Sequence, residues 1–281
     1  MMNLVRRAYV TWGLASCLPS FTTSFLTTLT HPTRNRPTLS ALGMVKNRGL
    51  EVRREGATPT EGGMTLYLKA GPDGKSVGDC PFAHFVRMVL EEKGLDYELQ
   101  PCVADTKPAW LVEFYDGKMP ALRHRKECYV ESDVIAEYVD FFFRDPPLKV
   151  DRPLMEAAET AVEGLFPAIA KYLKHTPDGD ADDGEKKTAL ERSLEKLNSH
   201  LAAVDGPYMT GHSFSLVDCG LAPKLYHMKT GVNGFKNGAI DFATQFPAVD
   251  AYMTAVFDRP SFQKTAYPTE VITWGWGNAR G

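Results

Sequence analysis

Strand signals in this chain stop near Val150. Between Met64 and Pro146, short alternating runs interleave with apolar helical faces, and beyond Val150 only helical periodicity continues. That division predicts a mixed sheet-and-helix layer followed by an all-helical one. Met64–Ala70 (MTLYLKA) reads as a first strand, and residues 71–78 as a loop carrying Pro72, Asp73 and Gly74. Phe82, Phe85, Val86, Val89 and Leu90 fall at i, i+3, i+4, i+7 and i+8, one apolar helix face. Pro81 suits its first turn and Gly94 its end. Leu95–Cys102 is a second strand, reached by a right-handed crossover.

Lys107, Pro108 and Trp110 lie in a loop or short helix. Gly117–Leu122 and Glu127–Val130 form a hairpin across His124–Lys126. Ser132 reads as the N-cap of a helix over Val134–Phe142, which Pro146-Pro147 terminates. The order over 64–146 is then β-α-β-α-β-β-α, the layout of a thioredoxin-like domain. The all-helical part, 147–281, begins with a pattern over Leu154–Leu173 that Pro167 should kink. Thr176–Gly184 is acidic but lacks the glutamate of a calcium loop, and reads as a solvated linker. Leu190, Leu194, Leu197 and Leu201 share a helix face. Ser215 and Asp218 resemble a capping box for a helix bent at Pro223. Phe246–Phe257 and Ser261–Ala266 are further helices, and Val271–Gly277 is an aromatic, glycine-rich tail.

Residues 1–63 have a different character. No acidic residue precedes Glu51, and Ser16–Ser40 is rich in Ser, Thr and Pro, with Arg34 and Arg36. The apolar run Ala8–Leu18 is too short to span a bilayer. Acid-poor, hydroxyl-rich, Arg-bearing segments are typical of organelle transit peptides, and a merely disordered tail is the alternative. The segment carries eight basic and three acidic residues, so a body without it would be distinctly acidic, although the whole chain has a net charge of only −3. No basic block offers a footprint for nucleic acid.

Five cysteines, Cys17, Cys80, Cys102, Cys128 and Cys219, are odd in number and widely spaced. They form neither a disulfide framework nor a zinc pattern and suit a reducing compartment. Cys80 alone stands at a predicted helix N-terminus, where unpaired N–H groups and the positive dipole end favour thiolate. Taken alone, the stretch Gly78–Phe82 equally fits a small residue capping a helix. Ala83 occupies the position a second thiol would need, so a redox role for Cys80 requires an external thiol. Asp79 opposes the thiolate unless its charge is paired. Cys102, Cys128 and Cys219 read as buried structural thiols, with Cys102 close enough in topology to bear watching as a partner for Cys80.

Asp79-Cys80-Pro81-Phe82, Gly117-Lys118-Met119-Pro120, Glu131-Ser132-Asp133, Leu221-Ala-Pro-Lys-Leu-Tyr-His227 and the Gly-Trp276 tail resemble plant-type dehydroascorbate reductases of the glutathione transferase superfamily, over about residues 66–277. The first three motifs are shared with chloride intracellular channel proteins and omega-type transferases, and the last two point to the reductases. The resemblance implies a glutathione transferase fold, with a thioredoxin-like domain over 64–146 and an all-helical domain over 147–281 behind a targeting leader, 1–63. It implies a nucleophilic Cys80, a cis Met119–Pro120 bond whose backbone takes the cysteinyl part of glutathione, Glu131 and Ser132 at its γ-glutamyl end, and Lys107 at its glycyl carboxylate. Lys69 and Asp79 would sit at the substrate end, and His227 and Trp276 would border the ascorbate pocket. Met119 replaces the family's usual valine, and the Lys69-to-Cys80 interval is one residue shorter than the family's.

The implied activity is glutathione-dependent reduction of dehydroascorbate in a plastid by a monomer, with glutathione as co-substrate and no metal. The rivals are an omega-like thioltransferase using the same cysteine and a chloride-channel-like protein that inserts into membranes without turnover. No long apolar run in 64–281 supports insertion.

Overall fold

A computed structural model describes residues 63–178 and 183–280. The leader reading, apart from Gly63, lies outside them, as does part of the acidic linker. Four strands, β1 (Met64–Lys69), β2 (Glu98–Cys102), β3 (Ala121–His124) and β4 (Glu127–Val130), form one sheet in the order β2-β1-β3-β4. β1 runs parallel to β2 and antiparallel to β3, and β3 and β4 make the expected hairpin. β1 is central and covered on both faces, which is why its sequence alternates only weakly. Tyr67 joins Leu111, Ala121, Cys128 and Val130 in the core beneath α2 (Ala109–Tyr115). Leu66 and Leu68, of opposite parity, point to the other face, which α1 (Pro81–Glu92) and α3 (Ser132–Phe142) cover.

α1 is buried all round from Ala83 to Leu90, not along the single face its periodicity suggests. It is sandwiched between the sheet and the helical layer. Phe82, read as a core position, is 39% exposed. In exchange, two polar residues are buried: Arg87 donates to the Thr265 carbonyl (2.9 Å), and His84 Nε2 lies 3.0 Å from Thr265 Oγ1.

The helical layer comprises α4 (Arg152–Val162), α5 (Leu165–Lys174), α6 (Gly184–Ala203), α7 (Leu216–Phe235), α8 (Phe242–Gln245), α9 (Pro247–Phe257), α10 (Pro260–Thr265) and α11 (Thr269–Ala279). The single kinked helix expected over 154–173 is two helices. The break falls at Gly164 (φ +77°), and Pro167 sits in the first turn of α5, where its missing N–H would have no intrahelical partner anyway. The capping box is present: Asp218 accepts from the Ser215 N–H (2.8 Å) and hydroxyl (2.7 Å). Asp218 also accepts from the Met209 N–H and Tyr252 hydroxyl, so it anchors the bundle as well as capping it. Asp183, placed in a solvated linker by its composition, caps α6 and pairs with Lys236 at 2.6 Å. The aromatic tail is helical, as α11. Arg259 grips Glu92 through two 2.7 Å bonds, tying the end of α1 to the start of α10.

Candidate active site

Cys80 occupies the N-cap of α1 with extended backbone (φ −71°, ψ 114°) and remains partly exposed. Its surroundings are dense, and burial pushes its thiol above the ordinary value. The Ala83 and Phe82 N–H groups, directed at the sulfur, pull the thiol down; Asp79 pushes it up and Lys69 pulls it down. The helix N-terminus therefore acts in the expected direction, but desolvation outweighs it. Cys102, Cys128 and Cys219 are buried, and all four described cysteines are free. Cys102 packs in the α2-side core, with its thiol toward the Gln100 carbonyl, and is not bonded to Cys80.

Asp79 has the partner its position demands. Lys69 Nζ donates to its carboxylate at 2.6 Å, so the shorter interval still lets the end of β1 reach the cysteine turn. Lys69 also lies 5.1 Å from the Trp274 ring. The carboxylate is pressed against α11: a Cβ added at Gly275 would stand 1.7 Å from Asp79 Oδ2. Gly275 is helical with no left-handed φ, so glycine is there for space.

The flanking tryptophans point to different neighbours, Trp274 to Lys69 and Trp276 to His227, with the latter pair of ring centroids 6.2 Å apart and edge-on. His227 and Trp276 are buried (1% and 6% exposed), and His227 Nε2 and Trp276 Nε1 have no hydrogen-bond partner among the described residues. Unpaired buried donors and acceptors are rare and call for a ligand or function. Burial lowers His227 to about 4, with Asp79 opposing and Lys69 assisting, so its imidazole is neutral at pH 7. Lys69, Asp79, Cys80, His227 and Trp276 thus form one neighbourhood, assembled from the β1–α1 turn, α7 and α11.

The remaining predicted residues precede α2, β3 and α3 or begin them. Met119–Pro120 is cis, and Met119 sits just beyond the last β1–β3 pair, Tyr67–Ala121. Lys107 donates to the Gly117 carbonyl at 2.8 Å; Gly117, at φ +65°, leaves room for the lysine, which retains donors for another acceptor. The reading of Ser132 as N-cap is corrected. Glu131 is the cap, held at φ 70°, and Ser132 is the first helical residue, buried beside the free N–H groups of α3. Left-handed geometry at a glutamate is costly and persists only where its surroundings impose it. The Glu131 side chain is exposed and paired with Lys118 at 2.9 Å.

Two residues went unnoticed in the sequence. Trp274 carried a signal, its spacing to Trp276. Tyr267 carried none: it lies between α10 and α11, and its hydroxyl donates to the Cys80 carbonyl at 3.1 Å. That carbonyl also takes the His84 N–H at 3.0 Å.

Among known proteins, the models for the glutathione S-transferase N-terminal and C-terminal domains match residues 79–140 and 184–255. Glutathione S-transferase DHAR2 of Arabidopsis thaliana is 33% identical over 201 residues, covering 71% of this chain and 90% of its own length. The probable glutathione S-transferase DHAR1, cytosolic, of Oryza sativa subsp. japonica is 34% identical over 219 residues, covering 76% and 97%. The crystal structure of Chlamydomonas reinhardtii dehydroascorbate reductase superposes with a TM-score of 0.66 at 31% identity, covering 78% of this chain and 100% of that one. With two glutathione S-transferase domains in order and a fold shared over the whole of a reductase, the chain belongs to the dehydroascorbate reductases of the glutathione S-transferase family.

Proposed function

We propose that this protein reduces dehydroascorbate to ascorbate with two glutathiones, which leave as the disulfide. The observation that carries the reading is a single helix-capping thiol beside Asp79 and Lys69, whose charges act on both that thiol and buried His227, with His227 Nε2 and Trp276 Nε1 unpartnered among the described residues. In this reading Cys80 adds through sulfur to a carbonyl carbon of dehydroascorbate. A glutathione thiolate then attacks Cys80 Sγ, the carbon–sulfur bond breaks, and its electron pair leaves on ascorbate. A second glutathione thiolate attacks the glutathione sulfur of the mixed disulfide and frees Cys80. The two thiols supply the two electrons and two protons that ascorbate gains. Neutral His227 and the Trp276 N–H hydrogen-bond the substrate's oxygens, and Lys69 and Asp79 fix its other end.

Glutathione lies across the remaining groups. Its cysteinyl backbone pairs with Met119 beside Pro120, its γ-glutamyl carboxylate sits on Ser132 and the α3 N-terminus with Glu131 at its amino group, and its glycyl carboxylate meets Lys107. The domain boundary falls at 146/147, the molecule acts as a monomer, and residues 1–63 direct it to a plastid. The test is glutathione-dependent dehydroascorbate reduction by the full chain and by Cys80→Ser. Turnover confined to the unmutated chain is expected; turnover by the serine variant, or none by either, refutes the reading. If His227→Ala left dehydroascorbate turnover intact while disulfide substrates were still reduced, the thioltransferase alternative would replace it.

A further inference from the structure

Three consecutive residues of α11 each meet a different member of the Cys80 neighbourhood. The Trp274 ring lies by Lys69, Gly275 leaves the space that the Asp79 carboxylate fills, and Trp276 lies edge-on to His227. The proposed reaction uses Lys69, Asp79, His227 and Trp276, and gives half-buried Trp274 no part.

Lys69 is the member that needs holding. It ends β1 with its side chain 46% exposed, on a flexible four-carbon stem. Among the described residues its ammonium meets two groups, Asp79 Oδ1 at 2.6 Å and the Trp274 ring at 5.1 Å. An ion pair open to solvent holds a long side chain weakly. An ammonium this close to an indole centroid is drawn by the ring's negative face, which at an exposed site favours the held arrangement about two- to fivefold. Asp79 cannot follow a lysine that swings outward, because its side chain is only 13% exposed and is pressed against Gly275. Departure of the ammonium would strand that carboxylate beside the thiol. The two charges act oppositely on Cys80: Lys69 lowers the thiol and Asp79 raises it. The other groups around the cysteine do not move with the lysine. The Phe82 and Ala83 N–H groups belong to α1, Tyr267 is fixed by its bond to the Cys80 carbonyl, and His227 is neutral.

We propose that Trp274 is a positioning residue of this site, its ring holding the Lys69 ammonium against Asp79 and so beside Cys80. The inference deepens the reductase reading and rests on it only for its consequence in turnover.

Iodoacetamide alkylation of the full chain across pH, followed by mass spectrometry on the Cys80 peptide, tests it. Trp274→Leu should move the Cys80 midpoint upward, in the same direction as Lys69→Gln and by less. Trp274→Phe, which keeps an aromatic face, should return the midpoint toward that of the unmutated chain. Trp274→Leu added to Lys69→Gln should shift nothing further, because no ammonium is left to hold. In turnover, kcat/KM for dehydroascorbate should fall about two- to fivefold in Trp274→Leu and recover in Trp274→Phe. Circular dichroism verifies that each variant is folded. An unchanged or lowered midpoint in folded Trp274→Leu overturns the proposal. So does an equal further shift in the Lys69→Gln background, which would make the ring act through packing alone, or an unchanged kcat/KM where the unmutated chain turns over. Failure of the reductase reading shows separately, as turnover by Cys80→Ser or none by the unmutated chain, and the alkylation midpoints still decide the role of Trp274.

Discussion

Gly275→Ala tests the packing that brings α11 onto the cysteine turn. On helix propensity alone, alanine should stabilise a helical position by about 1 kcal/mol. The structure predicts the opposite sign. The new Cβ would lie 1.7 Å from Asp79 Oδ2 and 2.2 Å from Cγ, so the carboxylate or α11 must give way by more than an ångström. Asp79 is tethered through Cys80 to the start of α1, and its carboxylate is held by Lys69, so relief on that side disturbs the turn. Overpacking of this kind costs roughly 1–3 kcal/mol. Losing the Lys69–Asp79 pair adds at most about 1 kcal/mol, because Lys69 is 46% exposed and the pair is screened. Set against the propensity gain, the net loss is up to about 3 kcal/mol, read as a lower urea midpoint at unchanged slope. Asp79→Ala removes the two closest contacts and keeps the 2.9 Å approach of its own Cβ. The double variant should therefore recover about 1 kcal/mol relative to additivity. A Gly275→Ala protein at least as stable as the unmutated chain, with no coupling to Asp79→Ala, would refute the reasoning.

Three further outcomes follow from the same site. Asp79→Asn removes a charge that raises the Cys80 thiol, and Lys69→Gln removes one that lowers it; the pH midpoint of iodoacetamide alkylation should fall in the first and rise in the second. His227 is held at about 4 against an ordinary 6.5 because the buried site disfavours its charged form. Between those values the unfolded chain binds more protons, so His227 contributes about 3 kcal/mol of stability that is complete above pH 6.5 and lost as pH falls toward 4. His227→Phe should flatten the acid side of a urea-midpoint profile, with buried His84, shifted in the same direction, keeping part of the slope. Tyr267→Phe deletes the 3.1 Å bond to the Cys80 carbonyl; since the His84 N–H still satisfies that carbonyl, the loss should be about 1 kcal/mol, accompanied by a changed alkylation rate at Cys80.

Local chemistry wrote much of this molecule into its sequence. The β-α-β-α-β-β-α order, the hairpin, the Ser215–Asp218 capping box and Cys80 at a helix start all depend on near neighbours, so periodicity and turn residues reveal them. The motifs around Cys80, Pro120, Ser132, His227 and Trp276 likewise pointed to the family. What local pattern could not carry was the environment. α1 reads as a one-faced helix because its buried polar residues, His84 and Arg87, have partners some 180 positions away in α10. The helix break at Gly164 in place of Pro167 depends on how α4 and α5 meet the bundle.

At the cysteine, the sequence by itself determined a lone thiol at a helix N-terminus beside an acid that needed a counter-charge. Tertiary structure decided which charge answers it: Lys69, from the strand before. It also placed α11 against the turn through the missing side chain of Gly275, and set a thiol whose pKa desolvation raises despite the helix N-terminus. A capping position is a property of neighbouring residues, whereas desolvation is a property of everything packed around them, and only the folded chain brings that together.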